Sequence, residues 1–169
     1  MIKSYNENQQ LIIREALRQT ELHIEDLQAT ATVAEARAFQ FSASCVLLAT
    51  LASALAQSAL SPFSVYVSSC GLIAAAFWAI CSALPRKFHI RGHRWELWQE
   101  HVVDDDCFDE VLISQANEND IRIRENFQKL EESAFHFLIS LKIAFCSMVF
   151  FVLGQVVAVY HSGIGIFEN

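Results

Sequence analysis

Hydrophobic and polar positions are arranged along this chain in long blocks. Between Arg37 and Arg86 there is no Asp, Glu, Lys or Arg, a gap of 48 residues. One membrane span needs only about 20 apolar residues. The gap divides at the polar patch Gln57-Ser58-Ala59-Leu60-Ser61-Pro62. Residues 38–56 and 63–84 then read as two spanning helices joined by a very short turn, with Pro85 stopping the second. A third span is expected over 139–160. Its only charge is Lys142, near its start, whose stem lets the ammonium reach back toward the headgroups.

The flanking segments carry a different period. Residues 6–37 lack Gly and Pro and read as helix. Ile13, Leu17, Thr20, Ile24, Leu27, Ala31, Ala34 and Ala38 recur in steps of four and three, a coiled-coil spacing that runs straight into the first span. Such a seam suits packing on another helix. It equally suits an amphipathic helix lying on the membrane or on its own chain. Residues 108–138 repeat the device: Ala116, Ile123, Leu130 and Phe137 recur every seven, alternating with Leu112, Asn119, Asn126 and Ser133. Asparagines inside a seam weaken it but fix register and oligomer number; the other reading is a solvated face. Asp104-Asp105-Asp106 stands where a cap is wanted. This helix is expected to continue unbroken into the third span, about 80 Å from Phe108 to Tyr160.

Charge sets the topology. All twelve Lys and Arg lie at or before Lys142, and the hairpin tip and the tail have none. The positive-inside rule puts the N-terminus and residues 85–138 in the cytoplasm. The first ten residues show no apolar signal core. The expected fold is an all-α membrane protein with three transmembrane helices, a hairpin plus one, and long cytoplasmic helical extensions. Its parts are an amphipathic helix (1–37), the hairpin (38–84), a linker and helix (85–138), the third span (139–160) and an external tail (161–169).

Composition agrees. The chain is 53% hydrophobic and 18% charged, with mean hydropathy +0.29, against about 45–50% and 25% in soluble proteins. That argues against a soluble enzyme, a disordered chain and a disulfide miniprotein. Net charge is −7, the wrong sign for a nucleic-acid surface. The basic cluster Arg86, Lys87, Arg91 and Arg94, with Trp95, Trp98 and Lys142, reads as a lipid-interface anchor.

Little points to catalysis. His89 and His93 are four apart, but Gly92 lies between them, and His101 and Cys107 complete no metal-ligand spacing. Arg86…His93 and Arg94…His101 faintly resemble the spacing of HEPN ribonucleases, yet the Asn, Asp or His usual after that Arg is absent: Lys87 and Trp95 stand there. Cys45, Cys70, Cys81, Cys107 and Cys146 form no disulfide framework. No catalytic residue, metal site or cofactor is expected, and the chain does not read as an enzyme. The most specific membrane signal is Gly71, Ala75, Ala79 and Ala83, one smooth face of the second span. It packs the hairpin or joins subunits. Three helices cannot bury every small-residue face, so a homo-oligomer is expected, with Asn119 and Asn126 setting its register. A conduit would be lined by Ser42, Ser44, Thr50, Ser53, Gln57 and Gln155. It would lack a charged ring at mid-depth and be weakly selective.

Ala34-Glu35-Ala36-Arg37-Ala38-Phe39-Gln40-Phe41-Ser42 enters the first span, Leu84-Pro85-Arg86 leaves the second, and a polar helix with Lys142 leads into the last. In this, residues 30–158 resemble the small membrane effectors of bacterial antiphage signalling, the Pycsar effector transmembrane family and, more loosely, the SLATT family. They also resemble small bacterial membrane proteins with a Gly…Trp loop, here Gly92 to Trp95 or Trp98, and an Ile…Asn helix, here Ile121 and Asn126. Pycsar-type members usually carry Lys where Arg37 stands, and no nucleotide-binding motif carries over. The resemblance implies an oligomeric protein of the bacterial inner membrane that perturbs the bilayer when triggered by a second messenger or a cytoplasmic partner. The alternative is a membrane anchor that recruits a cytoplasmic protein through residues 6–37 and 108–138.

Overall fold

The computed structural model describes residues 6–84, 88–90 and 107–164. Among these the chain is helical, with no strand: α1 (Glu7–Ala54), a 3-10 turn (Ala56–Ser58), α2 (Pro62–Ala83) and α3 (Phe108–Ile164). All three α-helices are long and apolar enough to cross a membrane. The expected cap at Asp104–Asp106, the stop at Pro85, and Arg86, Lys87, Arg91, Gly92, His93, Arg94, Trp95, Trp98 and His101 lie outside the described residues.

Local chemistry explains the ends. Asn6 and Gln9 form a reciprocal capping box: each backbone N–H donates to the other's side-chain oxygen at 2.9 Å. With no Gly or Pro before Pro62, α1 then runs for 48 residues. Pro62 occupies the first turn of α2, where its missing N–H is not needed. α3 is one helix of 57 residues. Asp109 and Glu110 sit in its first turn, where negative charge suits the helix dipole.

Contacts divide the chain into two compact units, Met1–Val33 with Arg86–Glu131, and Ala34–Pro85 with Glu132–Asn169. In the first unit α1 and α3 lie parallel. Gln10 Nε2 donates to Asp109 Oδ2 (3.0 Å) and, ten residues on, Asn119 Nδ2 donates to Thr20 Oγ1 (3.3 Å). The two seven-residue seams therefore meet each other within one chain: Ile24, Leu27 and Ala31 are buried on α1, and Leu112, Asn119 and Asn126 on α3. On the outer side of α1, hydrogen bonds from Arg18 and Gln19 pull the carboxyl of exposed Glu15 down to about 2.

In the second unit α2 runs antiparallel to α3. Ser133 Oγ donates to Ser82 O, and Ser140 Oγ to Ala75 O at 2.8 Å. Ser147 meets Gly71, and Gly154 meets Ser64. Small residues thus recur every seventh position on α3 (133, 140, 147, 154), and α2 with its N-cap Ser61 offers Ser82, Ala75, Ser68 and Ser61 at the same interval. Small side chains let helices approach closely where no water-driven collapse is available. From α1, Cys45 and Ala49 pack with Leu72, Ala75, Ala76 and Ala144, and Phe41 meets Phe137 edge-on at 5.5 Å. Outward, Leu47, Leu51, Phe63, Phe77, Phe145 and Val152 are each more than half exposed, an apolar surface fit for lipid.

The closest approach makes a prediction. A Cβ on Gly154 would collide with the Cβ of Ser64, which cannot swing away; on Gly71 it would meet the Oγ of Ser147, which can. Gly154→Ala should therefore destabilise the second unit by about 1–3 kcal/mol, as overpacking does, and Gly71→Ala by less. Thermal melts of the purified protein in detergent measure the order; equal melting temperatures would reject it.

Candidate functional site

The residues expected to join subunits are occupied inside one chain. Ala75 and Ala79 are fully buried, Ala83 nearly so, and Gly71 lies against Ser147. The smooth face of the second span is therefore the packing surface for the chain's own third span. Asn119 and Asn126 are likewise buried rather than solvated. Asn126 pairs with both backbone groups of His89: Oδ1 accepts from the N–H at 2.9 Å, and Nδ2 donates to the carbonyl at 3.0 Å. Gln28 Nε2 donates to the same carbonyl at 3.2 Å. Three segments of the first unit are thus tied at one residue. His89 Nε2 lies 2.6 Å from Glu125 Oε2, so its ring is engaged by a carboxylate on α3.

The hydroxyl and amide groups of the spans sort into two sets. Ser42 is buried, Ser53 donates to Ser69 Oγ (3.1 Å), and Gln155 Nε2 donates to Ser61 O and Ser64 Oγ, tying α3 to the hairpin turn. These close the unit on itself. Ser44, Thr50 and Gln57 face outward, joined by Gln40, which hydropathy alone does not single out. Ser44 Oγ donates to Gln40 O and Thr50 Oγ to Leu47 O, so both hydroxyls keep their acceptor lone pairs free to face outward. Helical spacing over an exposed surface (40, 44, 47, 50, 54) is the signal that would have found Gln40.

Lys142 stands within the contact between α3 and the hairpin. α3 meets the hairpin from Ser133 onward, six residues before the apolar stretch at 139. Ser140 and Ser147 face Ala75 and Gly71, which sets Lys142 level with about residue 74 of α2 at equal rise per residue. That is about 14 Å from the Ala83 end and about 18 Å from Pro62. The lysine thus lies beside the middle of α2, exposed and without an ion-pair partner among the described residues. Two grooves of about 450 and 310 Å³ lie along this region, the first between α2 and α3, the second also touching α1. Ser68 lines both, and its Oγ is buried with no hydrogen-bond partner. The Nδ1 of His136, whose ring lies 6.1 Å from that of Trp78, is likewise buried and unpartnered. No family model matches the chain, and no curated protein or solved structure shows significant similarity to it.

Proposed function

We propose that this chain is a membrane effector that assembles side by side in the bacterial inner membrane and permeabilises or depolarises it in antiviral defence. One observation carries the assembly. Gln40, Ser44 and Thr50 face outward from α1 within a stretch otherwise free of charge. The Gln40 amide has no side-chain partner among the described residues. A polar group turned toward hydrocarbon is expensive, and a second copy or a column of water would meet it. Ala36, Ala43 and Ala54 on the same flank allow the close approach such a neighbour needs. Because the smooth face of α2 packs within the chain, this reading gives the assembly to the α1 flank instead.

In this reading the charge asymmetry holds the first unit in the cytoplasm, where a second messenger or partner protein triggers the assembly. The resemblance to antiphage effectors supports the defensive role. A passive scaffold fits less well, because the seams that would recruit its partner are buried against each other.

The test is membrane potential, read with a voltage-sensitive dye in cells expressing the chain from a tight promoter. Expression should depolarise the cells. Ser44→Leu with Thr50→Leu should restore the potential at equal membrane abundance, since both sites are exposed and the fold tolerates them. Equal depolarisation by the leucine variant would remove the α1 flank from the path, and a steady potential in cells where cross-linking shows the chain assembled would end the reading.

A further inference from the structure

The groove between α2 and α3 is about 450 Å³, in the range of ligand-binding clefts, and its lining is almost wholly apolar. Val67, Gly71, Cys146 and Phe150 form its walls, and Lys142 stands toward its Ala83-side end. Acidic side chains are absent from residues 38–84 and 133–164, so nothing within these spans offers this ammonium a counter-charge. A lone cation in a span is ordinarily paired or turned toward water.

We propose that this groove binds an anionic phospholipid, its phosphate held by Lys142 and an acyl chain laid along Val67, Cys146 and Phe150. Three features fit that occupant. The walls run from Lys142 toward the Pro62 end of α2, the direction an acyl chain takes when its headgroup lies in the leaflet on the Ala83 side. Lys142 reaches toward that leaflet along a stem of about 6 Å, and local thinning of the bilayer brings the phosphate to meet it. Ser68 supplies the third feature. Ser44, Ser69 and Ser147 each donate to the carbonyl four residues earlier on their own helix. Ser68, only 2% exposed, makes no such bond. Its hydroxyl is unspent, and a turn of the side chain toward the groove would let it donate to an ester carbonyl of the bound lipid. Basic pockets between spanning helices hold anionic headgroups by the same combination of charge and enclosure.

The proposal goes beyond the conduit reading, because lipid retention is measured without any conductance. The full chain is purified in detergent, exposed to equimolar phosphatidylglycerol and phosphatidylcholine, passed through gel filtration, and its retained lipid quantified by mass spectrometry. Phosphatidylglycerol should be enriched about fivefold over the mixture, the ratio that roughly 1 kcal/mol per lysine gives. Lys142→Gln should return the ratio to that of the mixture, and Lys142→Arg should keep the enrichment. Cys146→Trp, which fills an exposed position in the groove, should lower the retention of both lipids with Lys142 intact. That arm stands even where Lys142→Gln does not assemble. Unchanged phosphatidylglycerol enrichment in Lys142→Gln, or unchanged retention in Cys146→Trp, overturns the proposal whatever either protein conducts.

Discussion

Replacing Ala75 and Ala79 together by leucine is expected to take the membrane-spanning unit apart. Both alanines are fully buried, and the Ala75 carbonyl accepts a hydrogen bond from Ser140 Oγ at 2.8 Å, so α3 lies close over this face. Each leucine adds three carbons to a contact built for a methyl group. Overpacking costs about 1–3 kcal/mol per site, and lipid offers no compensating drive to re-collapse, because the tails are as apolar as the core. Cys45 reports the outcome. It is 2% exposed and packs in the same cluster as Ala75, while Cys70 and Cys146 are exposed. In detergent a small maleimide should label Cys70 and Cys146 of the native protein and spare Cys45; in the double variant Cys45 should react as well. Continued protection of Cys45 with a smaller particle would instead place this face between subunits.

That contrast marks what the sequence discloses. The spans and the turn at 57–62 are legible because a long charge-free gap needs a non-aqueous setting, and a proline after a polar patch opens a new helix more readily than it continues an old one. The continuity of α3 is legible because residues 108–153 contain no Gly or Pro. Both seven-residue seams are visible too, but not their partner. A period names a face and is silent on what covers it, so seams that bury each other in one chain look the same as seams shared between subunits. The ladder at Ser133, Ser140, Ser147 and Gly154 is hidden for a related reason. Three of its members are serines, which read as polar until their hydroxyls are seen bonded to backbone carbonyls or seated against a glycine. The level of Lys142 along α2 escapes hydropathy, which gives only where a span begins on its own helix. Which residue of the neighbouring helix stands beside it is a matter of packing, here fixed by contacts at Ser140 and Ser147.

Asn126 carries the largest expected effect in the first unit. Its side chain is wholly buried and satisfies the N–H and the C=O of His89 at once. Leucine at this position would leave the His89 N–H unpaired and its carbonyl with only Gln28. One buried unsatisfied group costs about 1–3 kcal/mol, and the melting temperature of the full protein in detergent should fall accordingly. Asn126→Asp should be worse near neutral pH, since it replaces the Nδ2 donor with a charge in a site that excludes water. A buried carboxylate is disfavoured in its charged form. Its pKa therefore lies above the unfolded value, and the variant should regain stability as pH falls, when the protonated acid can donate to the His89 carbonyl. Asn119 provides the internal control. It makes a single hydrogen bond of 3.3 Å, and its Oδ1 is already buried without a partner, so Asn119→Leu removes an unsatisfied group and should be mild. If Asn126 instead specified the number of subunits, Asn126→Leu would change particle mass at unchanged melting temperature, the reverse of the result expected from a side chain spent within its own chain.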